Sequence, residues 1–309
     1  MGARGHVVIV YQFGKVASTA LVKSLNGCDR IEAHQSHFLG DDALKRIVVN
    51  ATSPNLTPYF RDHMVGQLLA NLDLTQKLKQ LQTGKDPRKL TILSLARDPL
   101  DWFRSSVQQD IKGYATKLVE MSDTTGDVTG DAIEAGVAAV LSRILEVLEA
   151  QGGVDRIAER IVSEGGRVVL NEAGVTDEFV RTMYLLCLRP LTWFEDHFAK
   201  CFGFSLGDIP EHGSFWLRRG EPSSYVVLRY EDIADSFQPA MEAAGVPFAG
   251  KVVQANVSTS KSHAADIRAG FTGPDALRLG QVLRSSAYGR FFGYDTADAT
   301  RSEVPKVVA

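Results

Sequence analysis

The chain has 309 residues, and its 34 lysines and arginines against 37 aspartates and glutamates give a formal net charge of −3 at pH 7. With 44% hydrophobic and 23% charged residues, it has the composition of an ordinary soluble globular protein. The slight acidity argues against broad binding to nucleic acids or anionic membranes and favours a small phosphorylated ligand. The length allows one large α/β domain or two small ones.

The sequence contains three cysteines without CxxC spacing, Cys28, Cys187 and Cys201, so neither a disulfide framework nor a zinc site is expected. A reducing cytoplasm is the expected location. The apolar runs are a handful of residues long, far short of the ~18–20 that span a bilayer. The first residues lack the apolar segment of a signal peptide, and His6 stands where a myristoylation signal has Ser or Thr. We expect no export signal and no membrane anchor.

The N-terminal segment has the pattern of a strand followed at once by a helix. Residues 6–11 form a short β-branched run, which predicts a buried strand. Residues 20–25 predict a helix, because Ser18 and Thr19 are good N-cap types and Gly27 is a typical C-terminal residue.

The same pattern recurs twice further along the chain. An apolar run at 90–95 ends at Arg97-Asp98-Pro99, where the proline permits a new helix to start. A third run at 225–229 leads into a predicted helix over about 232–245. Alternating strands and helices predict an α/β fold, in which a central parallel sheet is flanked by helices and ligand groups gather at the carboxyl ends of the strands.

The residues between the second and third predicted strands have mainly helical periodicity, and we interpret 115–222 as a helical insertion. One apolar stripe at 3–4 spacing is typical of core packing. It comprises Ile133, Val137, Val140, Leu141, Ile144 and Leu148. We expect a single domain over residues 1–295 and a disordered tail over 296–309.

The turn after the first strand has the composition of an anion-binding site. Gly14 and Lys15 lie between the buried strand and a helix that begins near Ser18 and Thr19. Free N–H groups at a helix start, the helix dipole and a lysine favour a phosphate. The motif is not a Walker A sequence, because Val16 rather than a hydroxyl residue follows Lys15. The alternative is a simple turn glycine beside a solvated lysine.

A second anion-binding element follows the second strand. Arg97 stands at the strand end and Ser105 lies eight residues later. A guanidinium offers a planar fork to phosphate oxygens, and a hydroxyl in the next helix can complete the contact. Arg104 is a secondary candidate for the same role.

Together these two elements resemble the signatures of the PAPS-dependent sulfotransferases, whose donor is 3′-phosphoadenosine 5′-phosphosulfate. The family's K-x-G-[ST]-[ST] loop resembles residues 15–19, with Ala17 in place of the usual glycine. Its 3′-phosphate motif resembles Arg97 and Ser105. Residues 228–233 are similar to a weaker R-Y-E-D-L marker, and the segments at 193–204 and 256–294 resemble bacterial enzymes that act on capsular or cell-surface carbohydrate.

The resemblance implies a P-loop-like three-layer fold and in-line transfer of a sulfuryl group from PAPS to a hydroxyl. The acceptor would be a small molecule or glycan, such as a carbohydrate or a cell-surface glycoconjugate precursor, with no nucleic acid and no metal involved. Lys15 would neutralise charge on the bridging oxygen. The residues expected to bind the donor are Gly14, Lys15, Val16, Ala17, Ser18, Thr19, Arg97, Ser105 and Lys261.

The acceptor hydroxyl must lose a proton, and a histidine with a pKa near 6.5 suits that role. His37 is the first candidate base and His34 is the second, with His63 and Glu32 also nearby. Two other functions stay open from the residues: an ATP-dependent small-molecule kinase of P-loop-like fold, and a non-catalytic nucleotide-binding protein.

Overall fold

The computed structural model describes residues 5–51, 58–122, 128–252 and 263–296. Contacts divide these residues into two compact units. The first, called here the sheet unit, comprises residues 5–96 and 194–252. The second, called the helical unit, comprises residues 97–193 and 263–296. The predicted single domain stays a prediction.

The sheet unit is built on six strands. They are β1 (His6–Tyr11), β2 (Ile31–Ser36), β3 (Lys89–Ala96), β4 (Glu211–His212), β5 (Phe215–Arg218) and β6 (Ser223–Arg229). Their order is β2-β1-β3-β6-β5-β4. The first four in this order are parallel, whereas β5 is antiparallel to both β6 and β4. The sheet is therefore mixed, although the sequence predicted a parallel one. The link over residues 219–222 joins β5 to β6 and is too short for a parallel crossover.

Strand β1 lies between β2 and β3 and is fully buried, as its unbroken apolar run predicted. Val8 pairs with Ala33 of β2 on one side and with Thr91 of β3 on the other. The Ser94 hydroxyl donates to the Tyr11 carbonyl over 2.7 Å, so the buried polar group of β3 is satisfied by the neighbouring strand. The predicted strands at 6–11, 90–95 and 225–229 are confirmed as β1, β3 and β6.

Helices account for most of the remaining described residues. They are α1 (Ser18–Asn26), α2 (Gly40–Ala51), α3 (Pro58–Gln82), α4 (Pro99–Gln109), α5 (Ile111–Met121), α6 (Gly130–Ala150), α7 (Val154–Glu164), α8 (Gly166–Glu172), α9 (Glu178–Trp193), α10 (Lys200–Phe202), α11 (Ile233–Ala243), α12 (Ala264–Gly270), α13 (Pro274–Arg284) and α14 (Ala287–Phe291). A π-helical turn covers Phe194–Ala199. None of the described helices is both long enough and apolar enough to cross a membrane.

The α1 helix follows β1 and packs against β2. It begins at Ser18, so Ser18 and Thr19 are its first helical residues and not its caps, whereas Gly27 follows its C-terminus as predicted. Near that end the Asn26 carboxamide donates to the carbonyl of Ala33 and accepts from its N–H, both over 2.9 Å. These two hydrogen bonds hold the end of α1 on β2.

Aromatic side chains fill the part of the sheet unit near the π-helical turn. The Phe198 ring, fully buried, lies 6.5 Å from that of Tyr11 and 4.9 Å from that of Phe202. Phe204 and Tyr225 continue the cluster, with ring centroids 4.7 Å apart. The π-helical turn therefore contributes to the core.

The helical unit is organised around α6, which packs against α5, α12 and α13. The apolar stripe predicted for this helix is buried and confirmed as core. Gly136 permits the close approach of α5, because a Cβ there would stand 1.9 Å from the Leu118 carbonyl oxygen. The predicted insertion over 115–222 contains α6 to α10 and the two short strands β4 and β5. Residues 297–309 of the predicted tail lie outside the described residues.

Helix α4 starts where the sequence predicted, directly after Asp98. The Asp98 carboxylate accepts from the N–H groups of Leu100 and Asp101, each over 3.0 Å. Arg284 donates its Nε hydrogen to the same carboxylate over 2.6 Å. Asp98 is thus an N-cap that also anchors α13 to the start of α4.

Candidate active site

The loop between β1 and α1 has an unusual backbone. Gly14, Lys15 and Ala17 have φ values of 94°, 55° and 60°. Residues other than glycine rarely adopt this left-handed region, and each costs of order 1–3 kcal/mol when it does. Ala17 stands where the sulfotransferase pattern has glycine, and its backbone is of the kind that glycine adopts freely. Strain of this type is typical of functional loops.

The loop leads into the N-terminus of α1. The first N–H groups of an α-helix have no acceptor within the helix, and the Ala17 methyl group cannot cap them. The first turn of α1 contains no acidic residue. Lys15 is half-buried beside it. Several N–H donors, the positive end of the helix dipole and a lysine therefore lie within one short segment, which suits a phosphate or sulfate group.

Gln12 connects this loop to the candidate base. Its side chain is fully buried, and its Oε1 atom accepts a hydrogen bond from the Gly14 N–H. Its main-chain carbonyl oxygen lies 2.8 Å from His37 Nδ1. A Cβ added to Gly14 would lie 4.0 Å from His37 Cε1. The structure thus places His37 against the loop that contains Lys15.

The contacts of His37 define which of its nitrogens can accept a proton. A carbonyl oxygen only accepts, so Nδ1 carries a hydrogen, and in the neutral imidazole the lone pair is on Nε2. Nε2 lies 3.4 Å from the Gln35 amide nitrogen, and the Thr19 hydroxyl donates to the Gln35 amide oxygen over 3.4 Å. The Gln12 amide nitrogen is 3.3 Å from Nδ1, but the shorter contact with the carbonyl decides the tautomer. The basic atom is Nε2.

His34, the second candidate, belongs to a cluster of charges on β2. Its Nε2 atom lies 2.6 Å from Glu32 Oε1, and Lys77 and Arg88 form ion pairs with the same carboxylate. Burial raises the pKa of Glu32, but hydrogen bonds from Lys77, Arg88 and His34 outweigh it and lower that pKa to about 2. His34 pairs with Ile9, two residues before the strand end, whereas His37 follows that end. Of the two histidines, His37 is thus the one that lies beside the loop that contains Lys15.

The residues of the second predicted anion-binding element, Arg97 and Ser105, lie in the helical unit. Arg97 directly follows β3, and its N–H donates to the Tyr288 hydroxyl over 3.0 Å while that hydroxyl donates to the Arg97 carbonyl over 2.9 Å. Ser105 is half-buried in α4. Arg104 forms an ion pair of 2.8 Å with Asp101. The backbone of Arg97 is therefore fixed by a tyrosine from α14.

Asp101 lies among several arginines at the start of α4. Burial raises its pKa, and Arg104, Arg97 and Arg284 oppose that effect.

Sequence reasoning proposed Arg97 and Arg104 but missed Arg284 and Tyr288, which come from the other end of the chain. It missed Gln12 and Gln35 as well, because an isolated glutamine carries no motif signal.

Of the predicted site residues, the structure brings those of the loop and His37 together within the sheet unit. Arg97 and Ser105 lie in the helical unit, and Lys261 lies outside the described residues. Among the residues described, no group of three or more His, Cys, Asp or Glu side chains is arranged to hold a metal ion.

No family model, no curated protein and no solved structure matches the chain. Membership of the sulfotransferase family, which the motifs suggest, thus stays a prediction.

Proposed function

We propose that the chain is a sulfotransferase that transfers a sulfuryl group from PAPS to a hydroxyl acceptor, with His37 as the general base. One observation carries the proposal: a strained loop with Lys15 at a helix N-terminus is connected through Gln12 to a histidine whose Nε2 is basic. Sulfuryl transfer to a hydroxyl requires an anion site and a base close together, and the loop with His37 beside it would supply both.

The loop residues suit the 5′ end of the donor. Bound PAPS would supply an activated sulfuryl group and leave as adenosine 3′,5′-bisphosphate. The N–H groups at Ala17, Ser18 and Thr19 would hold the 5′-phosphate oxygens as preorganised donors. Lys15 would compensate the negative charge that grows on the oxygen between phosphorus and sulfur. The resemblance assigns the 3′-phosphate to Arg97 and Ser105.

His37 has the orientation that a base requires. Its Nε2 lone pair would take the proton of the acceptor hydroxyl, while Nδ1–H stays on the Gln12 carbonyl. That hydrogen bond to an oxygen stabilises the imidazolium that forms. A carbohydrate or glycoconjugate precursor is the acceptor that the resemblance implies, and a cytoplasmic location is part of the same proposal.

The test is a calorimetric titration with adenosine 3′,5′-bisphosphate, AMP and ATP with magnesium. We expect the bisphosphate to bind most tightly and Arg97→Ala to abolish its advantage over AMP. Lys15→Ala should lower the rate of sulfuryl transfer by about 10²–10³-fold. Lys23→Ala, an exposed lysine on the same helix α1, is the matched control and should change neither quantity.

The titration also separates the other two functions. Tighter binding of ATP with magnesium than of the bisphosphate would replace the proposal with a small-molecule kinase. Bisphosphate binding without transfer to any hydroxyl, and an unchanged biological activity in Lys15→Ala, would indicate a non-catalytic nucleotide-binding protein. Equal affinity for the bisphosphate and AMP would refute the sulfotransferase.

A further inference from the structure

A cavity of ≈ 400 Å³ lies in the sheet unit, lined by the start of α2, the last turns of α3 and the segment from the π-helical turn into α10. Its size falls within the range of small-molecule sites. Its walls are largely charged or polar, whereas most ligand pockets are lined mainly by apolar side chains. The charges of these side chains therefore decide which ligands the cavity can hold.

The charged side chains of the cavity form pairs at two levels. At the exposed rim, Asp41 pairs with Lys79 over 2.8 Å and Asp42 pairs with Lys45 over 3.1 Å. In a less exposed position, the Asp196 carboxylate accepts hydrogen bonds from the two terminal nitrogens of Arg46, Nη1 and Nη2, and from Lys200 Nζ. The Asp196 carboxylate is only 21% exposed.

The four cations and three carboxylates restrict the class of ligand. An anion would meet three carboxylates in this cavity, and a cation would meet four basic groups. A neutral ligand with several hydroxyl groups avoids both penalties, because each hydroxyl can donate to a carboxylate and accept from a lysine or arginine. Thr75 also lines the cavity, and its buried hydroxyl has no hydrogen-bond partner among the described residues.

The cavity wall includes residues close in the chain to the candidate base or in contact with its neighbour. Leu39, two residues after His37, is part of its wall. His197, another wall residue, packs edge-on against Phe38, with 5.9 Å between the ring centroids. Phe38 directly follows His37. A ligand in the cavity would therefore lie near the segment over residues 37–39, which contains the candidate base.

We infer that this cavity is the acceptor site and that it binds a neutral, polyhydroxylated ring compound of the sugar class. The acceptor role rests on the proposed function, whereas the selectivity for a neutral polyol is inferred from the paired charges of the cavity. Asp196 with Arg46 forms the inner contact, and Lys79 with Asp41 forms part of the rim.

The experiment compares pyranoses of the same ring that differ in charge. Saturation-transfer NMR on the full chain is recorded with glucose, galactose, mannose, N-acetylglucosamine, glucuronate and glucosamine. We expect at least one neutral sugar to bind, with both charged sugars at least about 10-fold weaker. Asp196→Asn should weaken the neutral sugar about 10-fold or more, and Lys79→Ala, an exposed change that leaves the inner contacts intact, should weaken it several-fold. Lys117→Ala, from an exposed ion pair elsewhere, is the control.

Several results would overturn the inference. These are binding of none of the neutral sugars, preference for glucuronate or glucosamine, and neutral-sugar binding that neither Asp196→Asn nor Lys79→Ala changes. Titration of the same sample with adenosine 3′,5′-bisphosphate separates this inference from the proposed function. Bisphosphate binding without sugar binding refutes the cavity and leaves the donor site standing. Sugar binding without bisphosphate binding supports the polyol cavity and refutes the sulfotransferase together with the acceptor role.

Discussion

Ala17 has φ 60° and ψ 15°, a conformation that costs alanine energy and that glycine adopts freely. We expect Ala17→Gly to stabilise the folded chain. Loss of the Cβ removes roughly 1–2 kcal/mol of left-handed strain. The greater freedom of glycine in the unfolded chain costs roughly 0.4–1 kcal/mol. The expected net gain is the difference between these two effects, about 0–1.6 kcal/mol.

Urea denaturation measures this change, with Ala70→Gly as the matched control. Ala70 is exposed in the interior of α3, in the same unit, so glycine there should cost about 1 kcal/mol of stability. The two substitutions are chemically identical and should have opposite signs. A loss of stability in Ala17→Gly comparable to that in Ala70→Gly would refute the left-handed backbone at Ala17. It would also remove the main support for the anion site proposed in this loop.

Three further predictions concern stability and catalysis. The pKa of Glu32 is about 2 in the folded chain against an ordinary 4.5, so its ionised carboxylate stabilises the fold above pH 4.5 and progressively less toward pH 2. Glu32→Gln should therefore lower the free energy of unfolding, measured by urea denaturation, more at pH 7 than at pH 3. Gly136→Ala should cost several kcal/mol of stability in the same assay, because the added methyl group clashes with α5. Gly113→Ala, in open space on α5, is the control and should stabilise the fold by roughly 0.4–1 kcal/mol. Equal effects of the two substitutions would contradict the close packing at Gly136. His37→Ala should lower the transfer rate by about 10²–10⁴-fold without weakening bisphosphate binding, and an unchanged rate would exclude this base.

The sequence predicted the elements whose structure is determined locally. β1 and β3 are continuous apolar runs, and such runs are buried strands wherever parallel neighbours cover them. Asp98 and Pro99 start α4 by local effects, since Asp98 is its N-cap and proline is favoured at the first helical position. The stripe in α6 has the helical period that core packing requires. In each case the residues concerned are close in the chain.

The elements that sequence analysis missed depend on partners far along the chain. β2 contains only two apolar residues, Ile31 and Ala33, and it is a strand because it pairs with β1. The antiparallel β5 follows from the short link to β6 and not from its own composition. Gln12 contacts His37 across 25 positions, so its role in the candidate site depends on the fold. The cavity likewise combines three distant segments, and no local pattern indicates it.

The hydrogen bonds of Asn26 occupy part of the outer edge of strand β2. β2 ends the sheet order, and the N–H and carbonyl of Ala33, near its middle, point away from β1. A strand from another molecule would have to bond to these groups in order to extend the sheet. The carboxamide already occupies both, in the way that a residue of a neighbouring strand would. A single side chain at the end of α1 thus blocks strand addition at this edge.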